Sequence, residues 1–357
     1  MGFYYFSVPK TSTYQLPITN NNKRMFIVEN YNLAIIFCII TMFCWGSWAN
    51  TTKLTSKDWR FELFYWDYGV GILLTTLLLA FTLGSNGSGE GRAFLADINQ
   101  ADNTHLYSAL AGGVIFNLAN ILLVAAIAIA GMSVAFPVGI GIALVLGVVV
   151  NYVDNPQGNP LLIFGGVALI AIAIILNAKA YQKLQTNSTE KVSQKGLILS
   201  VVSGCLMGLF YKYVAASMAA DFNTPEIGKL TPYTSLVFFA IGIVLSSFFF
   251  NTLQMKRPFL GTPVSFADYF KGTTQDHLIG ILGGAIWCVG MSLSIIASGK
   301  AGPAVSYGLG QGATVVAAIW GIYIWKEFDN APKGTKPILN VMLLLYIVGL
   351  ALIILSK

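Results

Sequence analysis

The residues able to do polar chemistry in this sequence are few, and most stand inside strongly apolar surroundings. Asn117 and Asn120 lie three positions apart within one apolar run, so on a helix they share a face. Two amides side by side in hydrocarbon must find hydrogen-bond partners, either on a neighbouring helix or on a polar solute. Trp45, Trp287, Tyr307 and Gln311 stand in comparable runs and add ring faces and one more amide. These six residues form a candidate binding set for a small neutral polar molecule, held by stacking and hydrogen bonding. Two ionisable groups join them, Asp67 in Tyr65-Trp66-Asp67-Tyr68 and Lys212 in Tyr211-Lys212-Tyr213. Charge at membrane depth marks a functional candidate, so Asp67 is read as a proton carrier and Lys212 as its electrostatic partner. Plainer readings stand beside these. Tyr65, Trp66 and Tyr68 would serve as an interfacial aromatic belt, and Lys212 would reach toward water along its stem.

Bond-making chemistry is poorly supplied. The sequence has no GxxxxGK[ST] phosphate loop and no HExxH pair. The three glycines Gly308, Gly310 and Gly312 follow no strand and suit close helix packing better than a nucleotide. His105 and His277 each open an apolar run, which places them at an interface. The four cysteines, Cys38, Cys44, Cys205 and Cys288, show no CxxC spacing and read as buried free thiols. No metal or other cofactor and no enzymatic activity are expected.

These side chains must be positioned by membrane helices. The chain is 55% hydrophobic and only 10% charged, with a mean hydropathy of +0.69. Soluble domains carry about 25% charged residues, so the chain reads as a membrane protein. Its formal charge of +6 is accounted for by basic residues beside membrane spans, without nucleic acid. Residues 1–31 are polar, resemble no secretory signal and read as a tail, with Met25 near the start of the structured protein. Ten apolar segments of membrane-crossing length follow: 32–52, 62–84, 105–129, 132–152, 160–180, 196–219, 231–251, 277–299, 302–325 and 337–356. Residues 85–104 read as a surface loop and 252–276 as an amphipathic interfacial stretch.

The stretch from Leu110 to Tyr152 recurs 171 positions later. Without a gap, Gly112-Gly113 meets Gly283-Gly284, Ala130-Gly131 meets Ala301-Gly302, and Tyr152 meets Tyr323. The polar connector 181–195 therefore separates two halves of five spans, 32–180 and 196–357, and an odd span count makes the second half enter from the opposite face. The expected fold is an all-α integral membrane protein of ten transmembrane helices in two inverted five-helix repeats. Gly131, Pro137, Gly302 and Gly310 are the candidate hinges. The loops after odd-numbered spans carry most of the Lys and Arg, which places them inside and both termini outside.

An ordered set of short patterns resembles the plant ureide permeases. It begins with Met25-Phe26-Ile27-Val28-Glu29-Asn30, Tyr65-Trp66-Asp67-Tyr68 and Ala80-Phe81-Thr82-Leu83-Gly84. It continues through Ala111 to Asn120, Asn151-Tyr152-Val153-Asp154, Phe164-Gly165-Gly166-Val167 and Arg257-Pro258-Phe259-Leu260-Gly261, and closes on Trp325-Lys326-Glu327. Trp45-Gly46-Ser47 and the stretch from Ile286 to Glu327 are similar also to bacterial glucose/ribose porters. Both groups belong to the drug/metabolite transporter superfamily. The resemblance implies that superfamily's fold and proton-coupled secondary transport of ureides such as allantoin, or nucleobases, across the cell membrane. The porters imply a sugar instead. Departures are the single acid in Asp154-Asn155-Pro156 and the short central loop, which point to a prokaryotic relative. A non-transporting scaffold or sensor would need a docking surface or appendage, and the sequence offers only the short tail.

Overall fold

In a computed structural model of the chain, residues 24–87, 89–130, 132–184 and 193–357 are described. Gly131, most of the 1–31 tail and the middle of the 181–195 connector lie outside them. Ten described helices are long and apolar enough to cross a bilayer, and no sheet forms among the described residues. In chain order they are α1 (Tyr31–Leu54, 3-10 from Trp48), α2 (Phe61–Phe81), α3 (Asn103–Ala130), α4 (Met132–Asp154) and α5 (Pro160–Leu184). The second five are α6 (Gln194–Ser217), α7 (Pro232–Lys256), α8 (Thr274–Ala301), α9 (Pro303–Ile324) and α10 (Thr335–Ile354). All ten expected spans are present, with ends shifted by a few residues. Helix is the expected outcome because hydrocarbon offers backbone amides no partners outside the chain.

The connections hold two short helices that hydropathy did not single out, Phe94–Gln100 between α2 and α3 and Phe266–Tyr269 between α7 and α8. The second begins with a capping box, Ser265 and Asp268 satisfying each other's backbone amides. Between α8 and α9 there is no loop at all. Gly302, at φ +82°, ends one helix, and Pro303 opens the next at the position where a missing N–H costs nothing.

The packing repeats itself between the halves. Helices α3 and α6 lie together, as do α8 and α1; α4 meets α6, as α9 meets α1; α3 meets α7, as α8 meets α2. The pairs α2–α7, α4–α9 and α5–α10 map onto themselves when each helix is exchanged for the one five places away. The correspondence reaches single atoms. A Cβ on Gly284 would strike the Tyr68 carbonyl and one on Gly71 the Ile281 carbonyl. The equivalents 171 positions away do the same, Gly113 against the Phe239 carbonyl and Gly242 against that of Leu110. Small residues at these crossings let backbones touch, which is how membrane helices gain packing without a hydrophobic drive between them. The offset found in the sequence between α3–α4 and α8–α9 thus extends to α2 and α7.

Gly113→Ala and Gly284→Ala are expected to destabilise the detergent-extracted protein by similar amounts, about 1–3 kcal/mol each, since backbone must move to admit the methyl group. Gly141→Ala, whose Cβ would meet nothing within 4 Å, is the matched control and should leave the melting temperature unchanged.

Candidate functional site

A cavity of about 440 Å³ lies between the halves, lined by parts of α1, α2, α3, α4, α5, α6, α8 and α9. Its lining runs toward the face carrying the odd-numbered loops, through Asn50 and Lys53 at the end of α1, Tyr181 near the end of α5, and Trp325 and Glu327 just past α9. At the mouth Tyr181 donates to Glu327 (2.7 Å), Lys53 lies 3.7 Å from the same carboxylate, and the Trp325 indole donates to Asn50 (2.8 Å).

The deep end is aromatic. The Trp45 and Trp287 rings stack 6.0 Å apart at 12°, and Phe116 packs 4.4 Å from Trp287. Trp45 also donates its indole N–H to the Trp287 carbonyl at 3.2 Å. Glycine makes room for it. Side chains at Gly290 or Gly310 would each run into the Trp45 ring. Gly310, expected as a hinge, thus seats the indole. It also stands where α9 breaks, since Gly312 bonds back to Leu309 and the helix restarts at Ala313. Pro137 lies inside α4 and faces the same cavity.

Of the six residues expected to bind a solute, four line this cavity: Trp45, Asn120, Trp287 and Gln311. Asn120 donates to the Tyr65 hydroxyl (3.1 Å), and among the described residues nothing bonds its carbonyl oxygen. The Gln311 amide, 7% exposed, takes no side-chain hydrogen bond among the described residues. The other two are engaged elsewhere, which corrects the expectation that all six meet in one chamber. Asn117 turns to α7, where its Nδ2 contacts Ser246 Oγ (2.8 Å), Ser247 Oγ (3.2 Å) and the Ile243 carbonyl (3.3 Å). Positions three apart on a helix differ by about 60° in direction, enough to aim one amide at a cavity and the other at a neighbouring helix. Tyr307 is fully buried and donates to the carbonyls of Ala143 (3.1 Å) and Met207 (3.0 Å).

Tyr307 belongs to a layer that closes the inner end of the cavity. On α9 it stands between Gln311, which lines the cavity, and Pro303, which lines a second cavity of about 560 Å³ toward the even-loop face. On α6, Tyr211 likewise stands between Phe210 and Lys212, and on α8 Ser294 stands between Trp287 and Ser298. The Tyr211 hydroxyl meets Ser294 Oγ (3.2 Å) and Ser306 Oγ (3.3 Å), and Ser306 donates to the Ser294 carbonyl (2.6 Å). Cys38 completes the group with a weak bond to Ser306 (3.7 Å). A polar lattice spanning α1, α6, α8 and α9 therefore separates the two cavities.

The two charged candidates are not partners. Asp67 lies near the odd-loop end of α2, outside the cavity lining, and accepts from Tyr269 (2.7 Å) and His277 Nδ1 (2.9 Å). The Tyr269 phenol is pushed well above its usual range by burial and by the adjacent Asp67 carboxylate, so it stays a donor. Asp268 beside it is held down at about 2 by its bonds to Ser265 and Lys271 and stays charged. Lys212 lies near the even-loop end of α6 and pairs with Asp154 at 3.0 Å, in the second cavity. The expected Asp67–Lys212 pairing is replaced by Asp67–His277 and Lys212–Asp154. His277, assigned from sequence to a plain interface, is the hydrogen-bond partner of Asp67 that reading missed. Asn177 on α5 and Glu327 at the mouth were missed too, although each stood out as a polar group beside an apolar run.

Comparison with known proteins gives one consistent group. A family model described as Ureide permease matches residues 64–195 and 182–356. Ureide permease 4 of Arabidopsis thaliana is 23% identical over 93% of this chain and 99% of its own length. Ureide permease 2 of the same plant is 22% identical at the same coverage. Probable ureide permease A3 of Vigna unguiculata is 23% identical over 87% of this chain and 99% of its own. A solved crystal structure of a protein 14% identical superposes with a TM-score of 0.59 over 92% of this chain and 99% of that one, which shows a shared fold.

Asn117→Ala is expected to lower thermal stability by about 1–2 kcal/mol, because it removes bonds that tie α3 to α7. Gln311→Ala, with no such bonds to lose, should melt close to the unaltered protein in the same denaturation assay.

Proposed function

This chain belongs to the ureide permease family, and from that membership we propose that it carries a ureide such as allantoin, or a related nucleobase, across the cell membrane by alternating access. The observation that carries the reading is the chamber between the halves, floored by stacked indoles and fitted with uncommitted amides, open to one face and sealed from the other. Trp45, Trp287 and Phe116 offer ring faces to a flat heterocycle. Asn120 and Gln311 offer hydrogen-bonding edges to its carbonyls and N–H groups. A sugar would use the same groups, but no observation here favours one.

The inside-positive rule puts the odd loops in the cytoplasm and both termini outside, so the chamber faces inward in this conformation. The halves 32–180 and 196–357, joined by 181–195, are then the two bodies that rock about the solute. Return to the outward-facing form requires the Tyr211–Ser294–Ser306–Tyr307 layer to part and the opening lined by Asn50, Lys53, Tyr181 and Glu327 to close. Gly302, Pro137 and the α9 break at Gly310 are the points at which the backbone can yield. Protons enter through Asp67. As a carboxylate it holds His277 on α8 and Tyr269 in the α7–α8 connection. Protonation removes the charge that binds them and loosens α2 from α8, so proton uptake and the change of conformation share one equilibrium.

Uptake of labelled ureides, nucleobases and monosaccharides into proteoliposomes, with and without an imposed pH gradient, tests the reading. Concentration of a ureide or nucleobase driven by the gradient supports it; selective sugar uptake, or no uptake, overturns it. Asp67→Asn is expected to keep exchange of internal for external solute while losing gradient-driven accumulation. Accumulation at the unaltered level in that variant would remove Asp67 from the coupling path.

A further inference from the structure

The asparagines buried in the spans of the first half are treated in different ways by the fold. Asn117 is bonded across to α7, and Asn151 bonds back to the Gly147 carbonyl four residues earlier at 2.7 Å. Asn120 commits its N–H group to Tyr65. Asn177 commits nothing: it is 8% exposed, its carbonyl oxygen is enclosed without a partner, and no described residue bonds its amide nitrogen. An amide left in this state is unfavourable relative to a bonded one, and the next residue toward the surface on its face, Tyr181, is engaged with Glu327. The fold therefore carries an unfavourable group at a position where leucine or alanine would suit α5.

Asn177 lines the chamber together with Ala178 and Tyr181. It lies seven residues before Leu184, about 10 Å from the odd-loop end of α5 at 1.5 Å per residue. Gln311 and Trp287 each lie 13 residues from the odd-loop ends of their helices, about 20 Å deep on the same scale. Asn177 thus stands between the mouth and the aromatic floor, on the route a solute takes.

We propose that Asn177 is a specificity-determining residue of this chamber, whose side-chain amide pairs edge to edge with the adjacent C=O and N–H of a lactam or cyclic urea as the solute passes between the mouth and the indole floor. A primary amide offers one donor and one acceptor side by side, and a ring amide with cis geometry offers the complement. Two parallel hydrogen bonds form once the amide turns its edge into the chamber, and its oxygen then gains the partner the protein withholds. A hydroxyl can meet only one end at a time. This inference rests on the reading of the chamber as the solute site.

The test is uptake and competition in proteoliposomes with the unaltered protein, Asn177→Leu and Asn177→Asp, using a cyclic urea or lactam and its N-methylated analogue. Thermal denaturation is followed in parallel to confirm folding. Asn177→Leu is expected to melt no lower than the unaltered protein, because it loses no internal bond, yet to raise the apparent KM about tenfold. The unaltered protein should discriminate against the N-methyl analogue, and Asn177→Leu should lose that discrimination. Asn177→Asp, which keeps an acceptor, should retain part of it. An unchanged KM with unchanged discrimination in Asn177→Leu overturns the inference while leaving the transport reading intact. An unaltered protein that moves none of these solutes overturns the transport reading and this inference together.

Discussion

Hydrocarbon cannot hydrogen-bond, and that constraint organises the whole molecule. Every polar group taken into the bilayer has to be answered by another group of the chain or by something the chain encloses. Most of the buried hydroxyls and amides are answered internally: Thr41 reaches the Gly290 carbonyl, Ser203 that of Ala119, and Asn251 that of Glu62. Such bonds knit α1 to α8, α6 to α3 and α7 to α2. Among the described residues the buried side-chain atoms left without a partner are scattered through the bundle, and only the Asn177 carbonyl oxygen belongs to a residue that lines the chamber.

Legibility from sequence followed the range over which each determinant acts. Span number, span length and the repeat were readable because hydropathy and glycine spacing are local, periodic properties. Trp45 and Trp287 were readable because each is a large ring standing near glycines in an apolar run. The aim of a side chain was less accessible. Asn117 and Asn120 look alike in the sequence, and only the course of α7, with Ser246 and Ser247 at the right level, draws one of them away. Asp67 and His277 are 210 positions apart, and nothing in either neighbourhood announces the other. Tyr307 has the composition of a binding residue but serves as a cross-brace, because Ala143 and Met207 present carbonyls within its reach.

The chamber and the layer beneath it are chemically distinct. The chamber combines aromatic faces with amides that keep hydrogen-bonding atoms unspent, an arrangement suited to groups that come and go. The layer pairs tyrosine and serine hydroxyls with one another and with carbonyls, an arrangement that is complete without a visitor. Each hydroxyl bond there is modest in strength, so the layer can be exchanged for an alternative set of partners without a large barrier. The pairs Asp67–His277 and Lys212–Asp154 lie toward opposite ends of the bundle.

The glycine crossings between α2 and α8, and between α3 and α7, bring main chain against main chain. Such contacts have no rotamers, so they cannot adapt by small side-chain adjustments; they either hold their register or come apart. Each crossing joins one half of the chain to the other, so it sets a register that the halves keep or leave as units. Main chain meets main chain also where α1 crosses α9, Gly46 against the Ala313 carbonyl, and where α6 crosses α4, Gly204 against that of Gly139, so the same all-or-nothing fit is built into those seams as well.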